Sequence, residues 1–217
     1  MSPVLIDAYC GVGGATRGYQ RAGFYVVGID NRPQRDYGGN EFILGDVRDV
    51  LPGLLADADV VHASPPCQHY STPTKGTNRN SGREHSDLIP RTREILAAHP
   101  MTILENVQSA PVRRDLLLCG AMFGLSVLRH RNFELSFPIP QPRHDPHVGR
   151  ISGWRHGEEF TGPYVAVYGQ GGGKGSVPEW QTAMEIDWTD SRRSIAEAIP
   201  PMYSLYIGSH VLAGVTA

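Results

Sequence analysis

Apolar residues recur along the first half of the chain in short, nearly unbroken runs. The runs at 4–9, 24–30, 41–45, 59–63 and 101–104 are too continuous for half-exposed strands and too short for helices. They predict strands buried on both faces. Between them, residues 15–22 and 86–98 predict helices. Gly23 stands where the first would stop, and Ser86 is placed to cap the second. Residues 47–56 predict a weaker helix, interrupted by Pro52 and Gly53. Strands alternating with helices predict an α/β fold built on a doubly wound, mostly parallel sheet. In such sheets ligands bind beyond the carboxyl ends of the strands. Tyr9, Gly11, Asp30, Asp46, Pro66, Cys67 and Glu105 all fall at or just past those ends, so all are expected on one edge of the sheet.

The pattern changes after residue 137. Residues 138–180 are rich in Pro, Gly and His and contain one strand candidate, 164–168, followed by the glycine-rich 169–175. Helical segments are expected at 180–186, 191–199 and 202–212, with Pro200-Pro201 breaking the chain before the last. The expected organisation is a catalytic and cofactor-binding core at 1–137, a short insertion at 138–180, and helices at 181–217 that return to the core.

Composition narrows the function. The chain has 217 residues, enough for one domain with a substantial core. No apolar run approaches the roughly 20 residues that span a bilayer, and no signal-type segment opens the chain. A cytoplasmic protein without membrane attachment is expected. Three cysteines without CxxC spacing argue against a disulfide framework and a structural zinc site, and for a reducing compartment. The net charge of -2 creates no global pull on nucleic acid. However, residues 71–83 carry Lys75, Arg79 and Arg83 with no acid among them.

The first loop reads Asp7-Ala8-Tyr9-Cys10-Gly11-Val12-Gly13-Gly14. Its glycines permit a tight turn and close approach of a ligand to the backbone. A dinucleotide fingerprint needs a third glycine where Thr16 stands, which weakens a nicotinamide reading. A GxGG loop with Asp30 at the next strand end suits an adenosyl ligand lacking a pyrophosphate, such as S-adenosyl-L-methionine, with Asp46 placed to accept from the adenine amino group.

Further motifs follow in order: Ser64-Pro65-Pro66-Cys67-Gln68, Glu105-Asn106-Val107, Arg129-His130-Arg131 and Ala196-Glu197-Ala198-Ile199-Pro200-Pro201. Together with residues 7–24 they resemble the DNA cytosine-5 methyltransferase family, over residues 4 to 212. The sequence departs from the family at Tyr9, where Phe is common, at Val127, where Gln is common, and at Glu197, where Asn is common. The segment after the arginine motif is also short for a target-recognition domain.

The resemblance implies a Rossmann-like, S-adenosylmethionine-dependent methyltransferase fold acting on double-stranded DNA, with no obligate protein partner evident. It implies cofactor contacts from Asp7, Tyr9, Gly11, Gly13, Gly14, Asp30, Asp46, Val47, Pro66 and Glu197. Cys67 would attack carbon 6 of cytosine as a thiolate, turning carbon 5 into a nucleophile. Glu105 would bond or protonate ring nitrogen 3 and would need a raised pKa. Arg129 and Arg131 would bind the base carbonyl and hold the Cys67 loop. The base must leave the duplex, which costs a few kcal/mol. Contacts from Gln68, Ser71, Lys75, Arg79 and Arg83 would offset part of this. Residues 138–180 would read the target, and their size implies a short or relaxed site. No restriction nuclease signature accompanies the motifs, which suits a solitary methylase.

Cys10 and Cys119 read as small packing residues. His144 and His147 form an HxxH pair, but no neighbouring acid or cysteine completes a ligand set, so no metal is expected. The alternatives that stay open are an RNA cytosine-5 methyltransferase, a non-catalytic S-adenosylmethionine-binding subunit, and a nicotinamide-dependent dehydrogenase.

Overall fold

A computed structural model describes residues 2–70, 85–155, 157–169 and 175–215. Strands β1 (Val4–Ala8), β2 (Tyr25–Asp30), β3 (Glu41–Leu44), β4 (Val60–Ala63), β5 (Thr102–Asn106), β6 (Leu116–Leu118) and β7 (Arg131–Leu135) form one sheet in the order β3-β2-β1-β4-β5-β7-β6. The first five run parallel, and β7 is antiparallel to both β5 and β6. The expected doubly wound, mostly parallel sheet is therefore present, with its order reversing at β1 and β4.

Neighbouring strand residues supply opposite faces, as the two-residue period requires. Leu5, Val60 and Ile103 pack on one side with Tyr19, Phe133, Tyr203 and Ile207. Ile6, Val61 and Leu104 pack on the other with Leu51, Ile89 and Ile95. The first side is covered by α1 (Gly14–Ala22) and the C-terminal helix α6 (Pro201–Val215), the second by α2 (Val47–Leu54) and α3 (Ile89–Leu96). Helices α1 and α6 approach so closely that a Cβ on Gly18 would lie 2.0 Å from the Pro201 carbonyl oxygen.

Several local expectations are corrected. Pro52 does not interrupt α2. The helix runs through it, capped by Asp46 accepting from the Arg48 N–H at 2.9 Å. Ser86 does not cap α3. The helix starts at Ile89, where Pro90 occupies the first turn and needs no N–H partner, and Asp87 accepts from the Ile89 N–H at 3.0 Å. Strands β6 and β7 were not foreseen.

Residues 164–168 form no strand, only a bridge from Tyr164 to Ile151. Their backbone groups find other partners. The Val165 N–H donates to the Ser126 carbonyl at 2.8 Å, and the Val167 carbonyl accepts from Arg129 at 3.0 Å. The strands of this region are instead β8 (Gly153–Arg155) and β9 (Glu158–Phe160), a small antiparallel pair. The boundary expected at residue 180 falls inside α4 (Val177–Met184). Trp180 there is fully buried against Leu125, Val127 and, from α5 (Arg192–Glu197), Ile195. No helix among the described residues is long and apolar enough to cross a membrane.

Candidate active site

A cavity of about 1040 Å³ opens at the carboxyl edge of the parallel strands. Its walls come from the segments following β1, β2, β3, β4 and β5, completed by residues 128–131, 167–169 and 193–199. It spans the point where the strand order reverses, the place this topology reserves for ligands. Its size lies at the upper end of the range for small-molecule sites.

The cavity wall carries Tyr9, Asp30, Asp46, Val47, Pro66 and Glu197, six of the expected cofactor residues. Tyr9 directly follows β1 with φ 61°, in the left-handed region that a bulky residue rarely adopts. Its hydroxyl is 2.9 Å from Thr92 Oγ1, which fixes the ring as a wall. The Asp30 carboxylate accepts from the Gly11 N–H at 3.0 Å and the Arg32 N–H at 2.9 Å, so the glycine loop and the turn after β2 are joined. Asp46 pairs with the Arg48 guanidinium at 2.6 Å, and this bond holds its carboxyl below the usual range. Glu197 pairs with Arg193 at 3.0 Å.

The remaining cofactor expectations, Asp7, Gly11, Gly13 and Gly14, do not line the cavity. Gly14 packs on the chain after α5, where a Cβ would lie 2.4 Å from the Ile199 carbonyl oxygen. Asp7 is fully buried, accepts from Thr16 Oγ1 at 2.5 Å, and has its Oδ1 without a hydrogen bond. Burial pushes its carboxyl up to about 7.

The same cavity brings Cys67, Glu105, Arg129 and Arg131 together. Cys67 is half-buried beyond β4. The turn before it is pinned by Asn106 Nδ2, which donates to the Pro65 carbonyl at 2.8 Å. The turn after it closes through the Tyr70 N–H donating to the Cys67 carbonyl at 3.0 Å. Burial raises the Cys67 thiol, Arg131 and Arg129 pull it back, and Glu105 adds to the rise. Burial thus favours the thiol form of Cys67, and two guanidinium groups are placed to favour its ionisation.

Glu105 is 5% exposed, and burial raises its carboxyl against the pull of Arg131 and Arg129. Arg131 Nε stands 2.9 Å from Glu105 Oε1, but off the line of a hydrogen bond, so Oε1 keeps unused acceptor capacity. Arg129 points its terminal nitrogens elsewhere. Nη1 donates to the Val167 carbonyl and Nη2 to the Ala196 carbonyl, at 3.0 and 2.5 Å. It ties Val167 and α5 to the start of β7.

Gln68 lines the cavity with its Oε1 buried and unpaired. His69 Nδ1 lies 2.8 Å from the His85 carbonyl, and the Tyr70 hydroxyl donates to Asp87. The described ends on either side of 71–84 thus meet near the cavity rim. Ser71, Lys75, Arg79 and Arg83 lie outside the described residues.

Sequence reasoning missed Arg48, Arg193, Val167 and Gly169 as wall residues. Arg48 was signalled by its position two residues beyond Asp46. The others arrive through long-range folding and carried no local signal.

A family model for the C-5 cytosine-specific DNA methylase matches residues 4–114. No curated protein matches the chain. Among solved structures, the methyltransferase EhMeth of Entamoeba histolytica is similar with a TM-score of 0.64 and 12% identity, over 99% of each chain. The Dnmt2 methyltransferase of S. pombe is similar with a TM-score of 0.59 and 13% identity, over 100% of each chain. At these identities the two structures bear on the fold alone.

Proposed function

The chain belongs to the C-5 cytosine-specific DNA methylase family, and on that premise we propose that it methylates carbon 5 of cytosine in double-stranded DNA through a covalent Cys67 adduct. The observation that carries this reading is the convergence of Cys67, Glu105 and Arg131 in one cavity whose wall also presents Asp30 and Asp46.

The donor set fits S-adenosyl-L-methionine. Carboxylates at the ends of β2 and β3 suit ribose hydroxyls and an amino group, and Tyr9, Val47 and Pro66 supply apolar walls for a purine. When bound, the cofactor supplies an electrophilic methyl group. Asp30 and Asp46 orient it, while Gly11 and Gly13 shape the loop beside it.

Cys67 acts on the cytosine. Its thiolate bonds to carbon 6, the ring electrons shift toward carbon 5, and Glu105 stabilises the resulting charge at ring nitrogen 3. A buried carboxyl with a raised pKa suits that task at neutral pH. Arg131 and Arg129 favour the thiolate electrostatically. Pro65-Pro66 and the Asn106 bond hold the sulfur at a fixed position relative to the flipped base.

Gln68, with Ser71, Lys75, Arg79 and Arg83, contacts the nucleic acid. Residues 138–180 read a short target. Denaturant-stable capture of a 5-fluorocytosine duplex in the presence of cofactor tests the whole reading. Wild type is expected to form the adduct at Cys67, and Cys67→Ser to form none. Capture of transfer RNA in preference to duplex DNA would move the acceptor to RNA, and capture by Cys67→Ser would overturn the mechanism.

A further inference from the structure

Strands β6 and β7 are antiparallel, with Leu118 opposite Arg131. One step beyond that pair, the same register sets Cys119 opposite His130. The sheet edge thus joins a thiol and an imidazole that lie apart in sequence. The chain after β7 then returns over this edge and presents the HxxH pair. His144 Nε2 and His147 Nε2 are 3.0 Å apart, and His147 Nε2 is 3.5 Å from Cys119 Sγ. One ligand atom from each of Cys119, His130, His144 and His147 lies within 4.8 Å of every other.

A tetrahedral zinc ion, with bonds of about 2.0–2.1 Å to nitrogen and about 2.3 Å to sulfur, sets its ligand atoms roughly 3.3–3.6 Å apart. The 3.5 Å between Cys119 and His147 falls in that range, the 3.0 Å between His144 and His147 lies just below it, and His144 is exposed and able to rotate onto an ion. Two imidazoles facing each other through Nε2 can share one proton. A third imidazole and a thiolate at the same point add further lone pairs, which one divalent cation satisfies together.

We propose that Cys119, His130, His144 and His147 form a tetrahedral zinc site. One thiolate and three imidazoles suit zinc, whereas magnesium and calcium prefer oxygen ligands. Binding converts the Cys119 thiol to a zinc thiolate and releases its proton to solvent. Four protein ligands leave no open position, so the ion is structural. Its effect is local and specific: His130 stands between Arg129 and Arg131, so the ion fastens the start of the 138–180 segment to the backbone that carries both arginines. The site stands independently of the methyl-transfer reading.

Elemental analysis of the full-length protein, stripped with chelator and reloaded with zinc alone, should give one ion per chain. Cobalt(II) in its place should give visible bands of a tetrahedral ion and a near-ultraviolet sulfur-to-cobalt band. Cys67→Ser should keep that band, and Cys119→Ser should lose it. Cys119 is fully buried and its variant is at risk of misfolding. His144→Ala therefore serves as the second test: it should keep wild-type circular dichroism, lose the bound ion, and lose the chelator-induced drop in Tm seen in wild type. Failure of the wild type to take up either metal, a cobalt spectrum without the sulfur band, or full metal retention by His144→Ala would overturn the assignment.

Discussion

Asn106 Nδ2 donates to the Pro65 carbonyl at 2.8 Å, joining the end of β5 to the turn that presents Cys67. Asn106 is 1% exposed, and its Oδ1 accepts from the Val107 N–H at 2.9 Å. One amide therefore fixes both the Cys67 turn and the chain leaving Glu105. Asn106→Ala would leave the Pro65 carbonyl unpaired, which costs about 1–3 kcal/mol. Urea denaturation should show that loss. The rate of 5-fluorocytosine capture should fall more than DNA affinity does, because the turn is mispositioned while the binding surface is kept.

The pH dependence of Cys67 should respond in opposite directions to its two neighbours. Glu105 raises the thiol pKa and Arg131 lowers it. Thiolate forms as pH rises, so alkylation of Cys67 in the free enzyme should accelerate with a midpoint above the ordinary thiol value. Glu105→Gln should move that midpoint down and Arg131→Ala should move it up. Peptide-resolved iodoacetamide labelling across pH checks both signs, and a common shift in one direction would remove the electrostatic account of the site.

The inner parallel strands were legible because burial on both faces leaves continuous apolar runs, as in Val4–Ala8 and Val60–Ala63, whereas β3, at the sheet edge, is partly exposed. β7 was not, because its sequence Arg-Asn-Phe-Glu-Leu places polar residues in a buried strand. The structure explains Glu134, which is ion-paired to Arg93 at 2.8 Å, a partner from α3 that no local pattern announces. The candidate site followed from strand ends and motif order, so Cys67, Glu105 and Arg131 do converge. Arg129 differs in its partners, bonding the Val167 and Ala196 carbonyls, which only the tertiary fold brings within reach. Thr16, which broke the dinucleotide pattern, is the buried donor to Asp7. Cys119 and His130 met only through the β6–β7 register, which sequence spacing does not reveal.

Asp7 makes stability depend on pH. Its carboxyl is pushed from an ordinary 3.8 to about 7 in the folded state. Between those values the folded chain binds a proton that the unfolded chain has released, so stability falls as pH rises. Below the lower value the contribution is fully present, and above the upper it is lost. The change is on the order of 4 kcal/mol. Asp7→Asn keeps an acceptor for Thr16 and carries no charge. Urea midpoints should decline from pH 5 to pH 8 in wild type and decline less in the variant, which should be the more stable protein at pH 8.

Two glycine-to-alanine changes should have opposite effects on stability. At Gly14 the new Cβ would lie 2.4 Å from the Ile199 carbonyl oxygen and 2.9 Å from Ala198 Cβ, so α1 or the segment after α5 must shift. Overpacking of this kind costs about 1–3 kcal/mol. The displaced segment lines the cavity, so cofactor affinity by calorimetry should fall as well. Gly53 is exposed within α2, and a Cβ there meets nothing within 4 Å. Alanine at this position restricts the unfolded chain and favours the helix, worth about 0.5–1 kcal/mol. Thermal denaturation should place Gly14→Ala below wild type and Gly53→Ala above it. Gly53→Ala should also bind cofactor like wild type, because Gly53 is not part of the cavity wall. A stable Gly14→Ala with unchanged cofactor affinity would mean that α1 and the chain at Ile199 do not pack in the register described.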